Sequence, residues 1–182
     1  MTIFEPTKHR IQNGRLLEIR EAKVQDAEAI LEYVERISGE SEYLTFGPGE
    51  FELSVIEEEN YLRNCHQSDN QVYIIGLVGD VIVGSLNFAA GRRSRVRHSG
   101  EFGMSVRKEY WGLGIGSWML DALIQWAVDG RVVKKINLRV RTDNHQAIHL
   151  YERKGFLKEG TIRKEIFLDG RYLDHYWMGL EV

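Results

Sequence analysis

The run Gly112-Leu113-Gly114-Ile115-Gly116-Ser117 holds the residues whose type and spacing imply chemistry most directly. Three alternating glycines let the backbone curl tightly with its N–H groups pointing one way. Leu120, Leu123, Ile124 and Ala127 follow at helical spacing, so the turn opens a helix. A helix N-terminus adds unpaired N–H donors and a partial positive charge at the same place, which suits a phosphate. Two rival glycine motifs fail on spacing. A dinucleotide fingerprint needs a third glycine where Ser117 stands, and the Gly-Lys-Ser/Thr ending of a P-loop occurs nowhere.

Other groupings carry less. His145 and His149 have zinc-ligand spacing on a helix, but Gln146 stands where a metalloprotease motif has glutamate, and no third ligand is evident. No metal is expected. Arg92, Arg93, Arg95 and Arg97 form a basic run that reads as a solvated hairpin tip. Arg97 and Val106 are nine residues apart, about 30 Å along a strand, so this run lies far from the glycine turn. Between Ile37 and Leu62 there are seven glutamates and no Lys or Arg, a local negative field. His98 and His175 have no motif around them and read as ordinary polar or core residues.

The elements that must position these residues follow in order. Leu16 to Arg20 reads as a strand, and Ala27, Ile30, Leu31 and Val34 as a helix. Gly47-Pro48-Gly49 breaks the acidic region, and Ser54 with Glu57 forms a capping box for a second helix to about Cys65. Val72–Ile75 and Val81–Val83 flank Gly79-Asp80, a pair suited to a type II′ hairpin turn. A second hairpin through Gly91 to Arg97 leads to a strand ending at Val106. Then come the glycine-opened helix and the strand Ile136–Val140. The next helix carries Ala147, Ile148, Leu150 and Tyr151 and is stopped by Gly155. A closing hairpin turns at Asp169-Gly170. One mixed α/β sheet with helices on both faces accounts for this order.

The 182 residues suit one domain, expected over residues 15–182. Met1 to Gly14 reads as an N-terminal extension or a short edge element, with scattered charges and no apolar core of a signal peptide. The net charge of -3 argues against a dedicated nucleic-acid or membrane binder. The longest apolar run, Val72 to Val78, is far too short to span a bilayer. Cys65 is the only cysteine, which excludes an internal disulfide and fits a reduced, cytoplasmic setting.

Two separated motifs, in order, resemble the GNAT superfamily of N-acetyltransferases. One is Met104-Ser105-Val106 followed by Trp111-Gly112-Leu113-Gly114-Ile115-Gly116, similar to the family's (Gln/Arg)-x-x-Gly-x-(Gly/Ala) signature, with Trp111 where the family has Gln or Arg. The other runs from Asn144 to Phe156 and is similar to the Asn-x-x-Ala-x-x-Leu-Tyr-x-x-x-Gly-Phe block. The resemblance covers roughly Leu16 to Val182. It implies a mostly antiparallel sheet splayed between the fourth and fifth strands, with acetyl-CoA as co-substrate.

The resemblance assigns the pyrophosphate to the N–H groups of Gly112, Leu113, Gly114, Ile115, Gly116 and Ser117. Arg107 or Lys108 would supply any side-chain grip. The pantetheine would pair with Met104, Ser105 and Val106, with an oxyanion donor at the N–H of Met104 or its neighbour. Tyr151 matches the family's tyrosine and would protonate the leaving thiolate; Glu101 is the candidate base, acting through a water. Asn144 is an N-cap, a cofactor contact, or both. The acceptor is a small-molecule or peptide amine. The acidic segment favours a cationic amine, whereas Arg139 on the groove wall suits a substrate carboxylate. A homodimer is compatible with the sequence. The competing reading is a non-catalytic acyl-CoA-binding module.

Overall fold

The computed structural model describes residues 4–182, so Met1–Ile3 of the expected extension lie outside the described residues. Among the described residues, eight strands form one sheet in the order β1-β2-β3-β4-β5-β6-β8-β7. They are β1 (Thr7–Arg10), β2 (Leu16–Glu21), β3 (Gln71–Val78), β4 (Val81–Ala90), β5 (Ser99–Val106), β6 (Lys135–Arg141), β7 (Leu157–Leu168) and β8 (Arg171–Glu181). Every pairing is antiparallel except that of β5 with β6. The helices are α1 (Ala27–Ser38), α2 (Val55–Gln67), α3 (Ile115–Gly130) and α4 (His145–Arg153).

Alternation along β3 explains the two layers. Val72 and Ile74 face the core shared with Ile115, Met119, Leu120 and Leu123 of α3 and with Tyr151 of α4. Tyr73 and Ile75 face the core shared with Ile30, Val34 and Ile37 of α1 and with Leu62 and Cys65 of α2. A strand buried on both faces shows a continuous apolar run, as β3 does.

Local signals place the connections. Gly79 has φ +63 at the first central position of the β3–β4 turn, as a type II′ turn requires. Asp169 and Gly170, both at positive φ, close the β7–β8 hairpin. Ser54 and Glu57 make the reciprocal capping box of α2. The N-terminal stretch, read from sequence as an extension or a short edge element, supplies the edge strand β1, paired from Thr7↔Ile19 to Arg10↔Leu16. One feature exceeds the expectation: the closing hairpin starts far earlier, because β7 begins at Leu157. Register shifts between Lys158 and Gly160 and between Ile162 and Ile166 break the alternation that would mark β7 in the sequence.

The sheet opens between the fourth and fifth expected strands, now β5 and β6. These pair only over Ser99↔Lys135, Gly100↔Ile136 and Glu101↔Asn137. The Asn137 side chain sits at the fork, donating to Ser99 Oγ at 3.1 Å and to the Gly100 carbonyl at 2.9 Å. Beyond it the strands diverge.

Candidate active site

The divergence leaves one edge of β5 open. The Arg107 N–H donates to the Val83 carbonyl, and the Ser99 carbonyl accepts from the Gly91 N–H. In an antiparallel ladder such residues recur at every second position, so the odd-numbered residues of β5 bind β4. The N–H and C=O groups of Phe102, Met104 and Val106 therefore point into the opening. One of them is already used: the Trp111 indole Nε1 donates to the Val106 carbonyl at 2.6 Å. Trp111 thus ties the glycine turn to the end of β5 through its side chain.

The opening leads into a groove of about 1250 Å³. Gly112, Gly114, Ile115, Gly116 and Ser117 line it, as do Met104, Ser105 and Val106. Gly112 and Gly114 lie at φ +77 and +86, where a side chain is disfavoured. Gly114 is the N-cap of α3 with no side-chain cap, and the first turn of α3 holds no acidic residue. The first N–H groups of that helix thus remain available for an anion. A Cβ on Gly116 would come within 3.3 Å of Leu150 Cδ2 and Met104 Cε, so the bare backbone lets α3, α4 and β5 meet closely. These features fit an acyl-CoA phosphate turn. The Leu113 side chain behaves differently, packing against the core instead of lining the groove.

Arg107 and Lys108 do not line the groove either. Arg107 is buried and paired with Glu109 at 2.6 Å, and the Lys108 N–H donates to Glu40. Arg153 of α4 does line the groove, with His149 on the same helix. None of Arg92, Arg93, Arg95 and Arg97 lines it; they lie exposed on the β4–β5 hairpin, with Arg97 forked onto Asp69.

Tyr151 lies within the groove wall, packed edge-on against Phe102 and Phe156 at ring separations of 5.8 and 5.9 Å. Burial pushes its phenol up to about 12, so it keeps its proton throughout the physiological range. Asn144 caps α4, its side chain accepting from the Ala147 N–H at 3.2 Å, and the residue also lines the groove.

Glu101 also lines the groove, but its carboxylate is not free. Arg139 Nε donates to it at 2.6 Å, and Arg139 Nη1 donates to Glu165 at 2.9 Å. Arg139, considered from sequence for a substrate carboxylate, is thus held between two carboxylates of the protein. The acidic segment contributes to the groove through Tyr43, Leu44, Phe46 and Phe51, whereas its seven glutamates do not line it. Arg141 anchors that segment. It forks onto Asp143, donates to the Glu42 carbonyl at 2.5 Å, and lies 4.7 Å from the centre of the Tyr43 ring. Neither Arg141 nor His175, which also lines the groove, had a local signal in the sequence.

A family model described as the acetyltransferase (GNAT) family matches residues 32–156. The chain is 28% identical over 122 residues to spermidine N(1)-acetyltransferase of Vibrio cholerae, covering 64% of this chain and 66% of that protein. It is 30% identical over 105 residues to the L-amino acid N-acetyltransferase AaaT of Escherichia coli, covering 58% of this chain and 65% of that one. Both matches span just under two thirds of the relative's length. The crystal structure of a GNAT-family acetyltransferase from Streptococcus pneumoniae superimposes with a TM-score of 0.89 at 33% identity, covering 91% of this chain and 99% of that one. The open strand edge, the uncapped glycine turn and these matches lead to one conclusion: the chain belongs to the GNAT family of acetyltransferases.

Proposed function

We propose that the protein is an N-acetyltransferase that moves the acetyl group of acetyl-CoA to a primary amine of a small molecule or peptide. One observation carries the reading. The unpaired edge of β5 runs directly into the uncapped N-terminus of α3, giving an extended amide-bearing chain and its pyrophosphate one continuous track. The donor enters as co-substrate.

In this reading the glycine turn, Gly112 to Ser117, binds the pyrophosphate through backbone N–H groups, and Asn144 flanks it. The free N–H and C=O groups of Met104 hold the pantetheine and the thioester. An N–H aimed at the carbonyl oxygen stabilises the oxyanion that forms when the amine attacks. The carbon–sulfur bond then breaks, and Tyr151 gives its proton to the departing sulfur. A buried phenol near pKa 12 stays protonated until a strongly basic thiolate meets it.

The far end of the groove takes the acceptor. Glu101 and Glu165 flank Arg139, and Asp143 pairs with Arg141, so three carboxylates stand against two guanidiniums there, and the small negative excess attracts an ammonium group. With its carboxylate held by Arg139, Glu101 supplies charge. The two relatives act, by their names, on spermidine and on L-amino acids, so the acceptor here is assigned only as an amine. Among the described residues no helix is long and apolar enough to cross a membrane. The single cysteine, Cys65, is a buried free thiol that supports a reducing, cytoplasmic setting. Thiol release from acetyl-CoA across a panel of polyamines, amino acids and peptides tests the reading. Acceptor-dependent thiol with an acetylated product is expected; tight acetyl-CoA binding without it identifies a non-catalytic acyl-CoA-binding module.

A further inference from the structure

Resting on that reading, we infer that His175 is the group that takes the proton from the acceptor amine. Its imidazole lies on β8, opposite Arg141 of β6 and Ile162 of β7. Strand neighbours directly opposite share a face, so His175 shares the face of Arg141 and Arg139 and lines the acceptor end of the groove. It is 4% exposed, yet among the described residues Nδ1 has no hydrogen-bond partner. A buried, unpartnered imidazole nitrogen at the wall of a substrate groove is a polar group left for something that binds there.

The surroundings favour the neutral ring. Burial is the main effect that lowers the His175 pKa; Arg139 and Arg141 of β6 act in the same direction, while Glu165 of β7 and Asp143 after β6 oppose them. A neutral imidazole can accept a proton at neutral pH, where Glu101 is engaged by Arg139. The acceptor nitrogen sheds two protons. One passes from the ammonium to His175 and then to solvent, freeing the lone pair that bonds to the thioester carbon. The other ends on the sulfur as the carbon–sulfur bond breaks, by way of Tyr151. The products are the amide, the free thiol and one proton.

The test is the pH profile of kcat/KM for the wild type, His175→Gln, His175→Asn and Glu101→Gln, with acetyl-CoA affinity measured for each. The wild type is expected to lose activity as pH falls through a single protonation below the ordinary histidine value of about 6.5. Direct NMR titration of the His175 ring should give the same midpoint. His175→Gln should bind acetyl-CoA normally, lose kcat by about a hundredfold at neutral pH, and show no acid limb from this group. That loss should shrink at high pH, where more amine is already neutral. Glu101→Gln should raise the acceptor KM and keep the acid limb. The inference is overturned if both His175 variants keep the wild-type rate and limb, if the ring titrates away from the limb, or if Glu101→Gln abolishes the limb. A wild type that is active while His175→Gln is unaltered removes only His175. A wild type that releases no acceptor-dependent thiol removes the acetyltransferase reading and this inference together.

Discussion

At Tyr151 tight packing and the proposed chemistry fall on one side chain. Its ring completes an aromatic cluster with Phe102 and Phe156, and that same burial keeps the phenol protonated. Removing only the hydroxyl separates the two roles. Tyr151→Phe should keep the cluster and acetyl-CoA affinity, while kcat falls by about tenfold to a hundredfold. Rapid-mixing measurement of the acetyl-transfer step checks this, and an unchanged rate for that step would remove Tyr151 from the chemistry. Residue-scale roles differed in how far they could be read from sequence. Asn144 and Tyr151 sit in a helical block whose spacing carries them. His175 sits in a strand with no local pattern, and its unpartnered nitrogen exists only after β6, β7 and β8 pair. Capture of Glu101 by Arg139 is likewise tertiary, linking residues 38 positions apart.

At the scale of elements, β5 and α3 act as one device, joined by the glycine turn and by the Trp111 indole bonded to the Val106 carbonyl. Gly114 is its pivot at φ +86. A Cβ there meets only Trp118, no closer than 3.7 Å, so the obstacle to substitution is backbone conformation and not space. Gly114→Ala should cost about 1–2 kcal/mol in stability through left-handed strain. If the turn shifts its N–H groups to relieve that strain, acetyl-CoA affinity should fall about tenfold, the equivalent of about 1.4 kcal/mol. Thermal unfolding and calorimetric titration of the same variant check both. Wild-type affinity in a destabilised variant would show that the strain is absorbed without moving the N–H groups of the turn.

The elements legible in the sequence were those with local signals. The Gly79-Asp80 and Asp169-Gly170 turns, the Ser54–Glu57 box and the Asn144 cap all fall where chain chemistry alone puts them. β1 carries Thr, Lys, His and Arg with no apolar face, and β7 is a largely exposed edge strand with two register shifts. Such strands are specified by their neighbours more than by their own alternation.

For the whole molecule, the sheet divides two cores and also opens into a groove. α3 and α4 pack on one face and carry the turn, Tyr151 and Arg153; α1 and α2 cover the other, where α1 and the segment after it line the groove. Tyr33 of α1 braces the open strand from that side, donating to the Ser105 carbonyl at 2.9 Å. In the proposed reading the donor and the acceptor meet at the thioester position within this one groove. Backbone amide NMR during titration with acetyl-CoA tests this placement most directly. The account predicts that the N–H signals of Gly112 to Ser117 and of Met104 shift together and saturate at one affinity, while those of the hairpin carrying Arg92 to Arg97 stay still. Saturable binding that moves the arginine hairpin and leaves the glycine turn and Met104 unperturbed would contradict it.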